Sequence, residues 1–199
     1  LIASTKRLSD SILEKAATTN PDGGGIAWRE DGLVKWKKGI ELEEIISLCA
    51  TLPLPYIAHF RIATVGGKRP ELCHPFSIDE TALSVLEGET GGSVLFHNGH
   101  WARWKEVIMD TAVKSVAKLP VGKWSDSRAL AWAAYHYGVG FLELVDEKCV
   151  VFSPEEMEIF GSGWLLIEDG LLASNRHFEY ERFEHTGGGS GYYGHGFVP

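Results

Sequence analysis

Tyr56-Ile57-Ala58-His59-Phe60-Arg61-Ile62-Ala63 is an apolar run with little polar alternation, the pattern of a strand in a sheet covered on both faces. A guanidinium inside such a run is costly unless it is paired. Arg61 is therefore either half of a buried ion pair or a planar fork suited to a substrate carboxylate. Toward the N-terminus, Pro53 and Pro55 close a helix predicted over residues 41–51. Residues 26–29 and 33–38 flank Glu30-Asp31-Gly32, whose Asp-Gly pair marks a hairpin turn. Asn20-Pro21-Asp22-Gly23-Gly24-Gly25 is a loop signal. Before it, Leu8, Ile12, Leu13 and Ala16 recur at helical spacing up to about Thr19, and residues 1–5 read as a buried strand.

Toward the C-terminus a turn-rich stretch, residues 65–75, precedes a strand over 93–97. A helical period runs over 101–119, and Ser125-Asp126-Ser127 caps a second helix reaching about Tyr137. Residues 145–153 and 163–174 return to strands, the latter with an Asp169-Gly170 turn. Strands joined as hairpins, rather than in regular βαβ units, predict a layered α+β domain and not a doubly wound sheet.

The chain has 199 residues, 44% hydrophobic and 23% charged, with a formal net charge of -8. That is enough to bury a core without disulfide or metal staples. An acidic balance with a pI near 5.5 argues against nucleic acid or an anionic membrane as partner. Lys35, Lys37 and Lys38, alternating with Trp36, read as the solvated face of a strand. No apolar stretch is long enough to cross a bilayer, and Lys6, Arg7 and Asp10 interrupt the opening segment as a secretory signal would not allow. Cys49, Cys73 and Cys149, odd in number and without a CxxC, suit a reducing, cytoplasmic setting. Residues 1–184 are expected to form one domain. Residues 185–199, rich in glycine, lack the apolar surface to fold alone. This tail either contacts a neighbouring subunit through Tyr192, Tyr193 and Phe197, as in a homo-oligomer, or folds back on its own domain.

Chemistry concentrates in a few short segments. Asn98-Gly99 follows an apolar strand, where a side-chain amide beside an unobstructed glycine N–H can form an oxyanion hole, or simply a turn. Asp126 is either part of a helix N-terminus or a seat for an ammonium group. Gly23 to Gly25 lack the Lys-Ser/Thr that a phosphate cradle needs. His59, His74, His97 and His100 could meet Cys73 around a zinc ion, though satisfied strand-end histidines are the simpler reading, and no metal-site spacing is present. A Cys73–His74 nucleophile pair is weak, because such partners usually meet in space rather than in sequence.

In order, Asn20-Pro21-Asp22-Gly23-Gly24-Gly25, His59-Phe60-Arg61-Ile62-Ala63-Thr64, His74-Pro75-Phe76, His97-Asn98-Gly99 and Ser125-Asp126 resemble the class II glutamine amidotransferase family of N-terminal-nucleophile hydrolases, over residues 1 to about 175. The resemblance implies a four-layer α-β-β-α sandwich. It also implies Arg61 on the glutamine α-carboxylate, Thr64 and His74 shaping the pocket, Asn98 and Gly99 as the oxyanion hole, and Asp126 on the α-ammonium group. The family's nucleophile is an N-terminal cysteine, and Leu-Ile-Ala follows Met-Cys in its small members, so that cysteine is expected immediately before Leu1. Val65 and Cys73 depart from the family's common residues and bear on the exact substrate.

The expected activity is release of ammonia from glutamine or a γ-glutamyl amide, with no cofactor. A separate synthetase partner would carry any acceptor chemistry. The alternative is a non-catalytic assembly protein on the same fold, for example a phage or virion component placed in the host cytoplasm or the particle, using its tail for subunit contacts. A zinc-dependent hydrolase is a distant third.

Overall fold

A computed structural model of the chain describes residues 1–63, 66–82 and 85–176. Asp31 and Gly32 both adopt left-handed backbone, with φ of 55° and 74°. They close the two-residue hairpin between β2 (Gly24–Glu30) and β3 (Leu33–Ile40). The remaining strands are β1 (Ile2–Ser4), β4 (Tyr56–Phe60), β5 (Phe76–Ser77), β6 (Glu87–Thr90), β7 (Val94–Asn98), β8 (Lys148–Phe152), β9 (Met157–Phe160), β10 (Leu165–Glu168) and β11 (Leu171–Ala173). They form a seven-stranded sheet in the order β10-β11-β1-β4-β2-β3-β6 and a four-stranded sheet in the order β5-β7-β8-β9. All pairings are antiparallel. The class is α+β, as the order of elements predicts.

The helices are α1 (Asp10–Thr19), α2 (Leu42–Thr51), α3 (Trp104–Ser115), α4 (Asp126–Tyr137) and α5 (Phe141–Val145), with a 3-10 turn over Pro70–Leu72. Ser9 caps α1 by accepting the Ile12 N–H, and Ser125 caps α4 by accepting the Arg128 N–H. Helix α2 ends at Thr51, and Leu52, just before Pro53, is extended.

Side-chain alternation sorts the core into three clusters. From β1, β2 and β4, Ile2, Ile26, Tyr56, Ala58 and Phe60 pack with Leu13 and Ala16 of α1 and Ile45 and Cys49 of α2. On the opposite face of those strands, Ala3, Ala27 and Ile57, joined by Val34 and Trp36 of β3, meet Val94, Phe96, Val150 and Phe152 of the second sheet. The far face of that sheet, through Leu95, Cys149 and Val151, packs on Ile108 of α3, residues 129–132 of α4 and Leu142 of α5. All five residues of β4 are buried, as a strand covered on both faces requires.

The lysines of β3 need a correction. Lys35 and Lys37 face outward, in ion pairs with Glu30 and Glu44 respectively. Lys38 is only 1% exposed. Period-two alternation puts it on the inward face with Val34 and Trp36, and its Nζ donates to the Pro75 carbonyl at 2.7 Å. Among the described residues no helix is long and apolar enough to cross a membrane. The proposed tail contacts at residues 185–199 lie outside the described residues.

Candidate active site

Strands β4 and β7, the start of α4 and the chain after β11 converge on a cavity of about 250 Å³. Its walls include Arg61 and His74, Asn98 and Gly99 at the end of β7, and Asp126 at the start of α4. Five of the six site residues expected from sequence thus share one cavity although they span 65 positions (126 − 61). Thr64 lies outside the described residues. The same cavity takes in Asn20, His59, His97, Ser127 and Asn175.

The Asn-Pro-Asp-Gly segment braces the arginine. Asp22 N–H donates to the Arg61 carbonyl, and Arg61 N–H to the Gly23 carbonyl, both at 2.9 Å. The Asp22 carboxylate accepts the Ala63 N–H at 2.9 Å and pairs with Lys68 at 2.5 Å. First the Ala63 N–H and then Lys68 hold its carboxyl below the usual range. Arg61 is 5% exposed and its Nη1 donates to the Gly67 carbonyl at 2.8 Å. One reading from sequence was a buried ion pair, and Asp22 is among the charges acting across this corner, since Arg61 adds to the lowering of its carboxyl. The guanidinium therefore has a structural anchor and a place on the cavity wall together.

Asp126 shows the same double character. As first residue of α4 it complements the helix dipole. Its Oδ1 accepts the Ser127 N–H at 2.9 Å and its Oδ2 the Trp101 N–H at 3.2 Å, with His100 Nδ1 at 3.6 Å. Two main-chain donors fix the carboxylate while it faces the cavity.

His59 and His74 pack ring to ring, centroids 4.1 Å apart. Burial first, then neighbouring positive charge, keeps both well below the usual histidine range, so both are neutral at pH 7. Neither ring nitrogen of His74 has a hydrogen-bond partner. The His74 main chain is positioned by close contact, because a Cβ on Gly25 would collide with the His74 carbonyl oxygen and press on Lys38. Cys73 does not join this cavity: it is fully buried, and burial raises its thiol pKa. Among the described residues no group of three or more His, Cys, Asp or Glu is arranged to hold a metal ion.

Leu1, just before β1, accepts the Ser174 N–H on its carbonyl at 3.0 Å, one residue from Asn175 on the cavity wall. Two residues of the site gave no sequence signal of their role. Glu147 reads as one of two adjacent surface acids, Asp146 and Glu147, before β8, yet its Oε2 lies 3.8 Å from His97 Nε2. Ser127 reads as part of a helix cap, yet its hydroxyl lies 2.9 Å from His97 Nδ1. A larger cavity of about 830 Å³, lined by Glu71, Arg128, Trp132, Tyr135 and His136 among others, lies beyond the 3-10 turn and the first turn of α4. It contains none of the residues singled out from the motifs.

No protein-family model and no curated protein sequence matches the chain.

Proposed function

We propose that the protein is a glutamine amidohydrolase of the class II amidotransferase type, built on a four-layer α-β-β-α sandwich and acting on glutamine or a γ-glutamyl amide. The three core clusters support the layer order: α1 and α2, the seven-stranded sheet, the four-stranded sheet, then α3 to α5. The observation that carries the function is the gathering of Arg61, Asn98, Gly99 and Asp126 on one cavity beside the head of β1.

The register of β1 supplies the geometry for a nucleophile. Ile2 pairs with Ala58 on β4 and with Ala173 on β11. Continued two steps, a cysteine immediately before Leu1 would fall opposite Phe60 and Asn175, both on the cavity wall. Its thiolate attacks the side-chain amide carbon while its own α-amine moves the proton. The sulfur–carbon bond forms, the carbon–nitrogen bond breaks, and ammonia leaves with the transferred proton. Water then hydrolyses the thioester and restores the thiol. Asn98 and the Gly99 N–H stabilise the oxyanion in both halves. Arg61 receives the α-carboxylate, for which a bidentate fork is suited, and Asp126 receives the α-ammonium group. Neutral His74 shapes the pocket without adding charge. Any ammonia acceptor belongs to a separate synthetase partner.

The test is ammonia release from L-glutamine by the native, full-length chain, with its intact mass measured alongside. A cysteine upstream of Leu1 together with turnover supports the proposal. A native mass that begins at Leu1, or no ammonia from glutamine or γ-glutamyl amides despite the cysteine, overturns it.

A further inference from the structure

On the wall of the same cavity a serine hydroxyl lies against a histidine ring, both within the described residues. Ser127 Oγ and His97 Nδ1 are 2.9 Å apart, within the reach expected of a nucleophile and its general base. On the other side of the ring, His97 Nε2 faces Glu147 Oε2 at 3.8 Å, and Nε2 has no hydrogen-bond partner. His97 is 2% exposed and Ser127 6% exposed, and both line the cavity. Such contacts are often long before substrate binds and tighten in the complex.

Why these three groups meet follows from the fold. His97 is held in β7, paired with Cys149 of β8, so Glu147 arrives at the same sheet end two residues earlier. Gly99 gives the carboxylate room, since a Cβ there would collide with Glu147 Oε2. Ser127 sits in the first turn of α4, where the helix dipole favours negative charge developing on its oxygen. The neighbouring Ser125 hydroxyl is already engaged, capping the helix through the Arg128 N–H.

We infer that Ser127, His97 and Glu147 form a nucleophile–base–acid relay able to hydrolyse small esters, independently of any thiol upstream of Leu1. Drawn in to hydrogen-bond distance when substrate binds, the Glu147 carboxylate holds the His97 tautomer that carries hydrogen on Nε2, leaving the Nδ1 lone pair for the serine. Ser127 Oγ bonds to the acyl carbon and its proton passes to His97 Nδ1. The ester carbon–oxygen bond breaks, and the alcohol leaves with that proton. Water then attacks the acyl-serine, again through Nδ1, releasing the carboxylic acid and restoring the hydroxyl. Asn98 and Gly99 adjoin His97 directly and are the nearest candidates to stabilise the oxyanion. A cavity of about 250 Å³ limits the substrate to a short acyl chain.

The probe is an alkyl fluorophosphonate, which phosphonylates activated serines, applied to the full chain and located by peptide mass spectrometry. One adduct is expected, on Ser127, absent in Ser127→Ala and formed at least tenfold more slowly in His97→Gln. With p-nitrophenyl acetate, Glu147→Gln is expected to lower kcat about tenfold and leave KM unchanged, the split that a positioning residue predicts and general destabilisation does not. If Ser127→Ala fails to fold, Ser127→Cys serves instead. Iodoacetamide should then alkylate position 127 faster than any of the three native cysteines, which are buried. No adduct, an adduct on Ser125, a labelling rate unchanged in His97→Gln, or sluggish alkylation at position 127 overturns the inference. A glutamine analogue that alkylates thiols reports separately on the amidohydrolase, so failure of one activity leaves the other legible.

Discussion

Lys38 offers a quantitative test of how the site is supported. The residue is 1% exposed, and its amine donates to the Pro75 carbonyl at 2.7 Å and lies 4.2 Å from the centroid of the Phe76 ring. Burial is the leading cause that lowers its pKa from 10.5 to about 7. Between those values the unfolded chain binds more protons than the native one, so stability must rise with pH across that window. Below pH 7 the full penalty for burying the ammonium is present, and it is relieved as pH climbs toward 10.5. Integrating the linkage from pH 7 to 9 gives about 2 kcal/mol of added stability from this one residue. Burial raises the thiol pKa of Cys49, Cys73 and Cys149, which acts in the opposite sense above about pH 9. The comparison is therefore made against Lys38→Met at pH 7 and pH 9, by urea denaturation. The wild-type chain should gain about 2 kcal/mol more than the variant between the two pH values. Equal gains would mean that Lys38 is solvated, and the inward face assigned to it would be wrong.

Three further outcomes follow from the same contacts. Gly25→Ala drives a methyl group into the His74 carbonyl and should cost about 1–3 kcal/mol, read as a lower urea midpoint; an unchanged midpoint would show that the segment moves freely. Arg128 donates to the carbonyls of Thr81, Ala82, Val121 and Lys123, and Arg128→Met should destabilise by about 3 kcal/mol or more, with a loss under about 1 kcal/mol counting against that clamp. Asn98→Ala should slow ammonia release about a hundredfold with a folded protein by circular dichroism, whereas full activity would remove the amide from the oxyanion site.

Much of this architecture could be read from the sequence because local signals and tertiary demand agree. The Asp31-Gly32 turn, the Ser125 cap and the two-faced burial of β4 each rest on a few residues whose chemistry permits one solution. Strands β5, β6 and β9 were not legible. Strand β6 is Glu-Gly-Glu-Thr, exposed or half-buried throughout and held by pairing to β3, so no apolar alternation announces it. Strand β9 follows a Ser-Pro turn and carries a single buried residue, Phe160. The predicted strand over 145–153 is shortened because residues 141–145 wind into α5, which buries Leu142 against α4. The helix predicted over 101–119 is shorter for a different reason: Val116 adopts left-handed backbone and ends α3 at Ser115.

In the site, Arg61 and Asn98 mark the end of an apolar strand and Asp126 the start of a helix, but each alone also has a structural reading, and it was the order of the segments along the chain that singled them out. Their partners were not visible. Glu147 and His97 are 50 positions apart (147 − 97), and only the β7–β8 pairing brings them together. Lys38 was hidden by its neighbours, since three nearby lysines look like one solvated face until the strand period separates them.

The most direct measurement treats the native chain with a γ-diazoketone analogue of glutamine and maps the adduct by peptide mass spectrometry. The amidohydrolase proposal predicts one adduct, on a cysteine immediately before Leu1, with ammonia release lost in proportion to labelling and protected by glutamine. An adduct on Cys49, Cys73 or Cys149, or a native chain that carries no cysteine there, would contradict it.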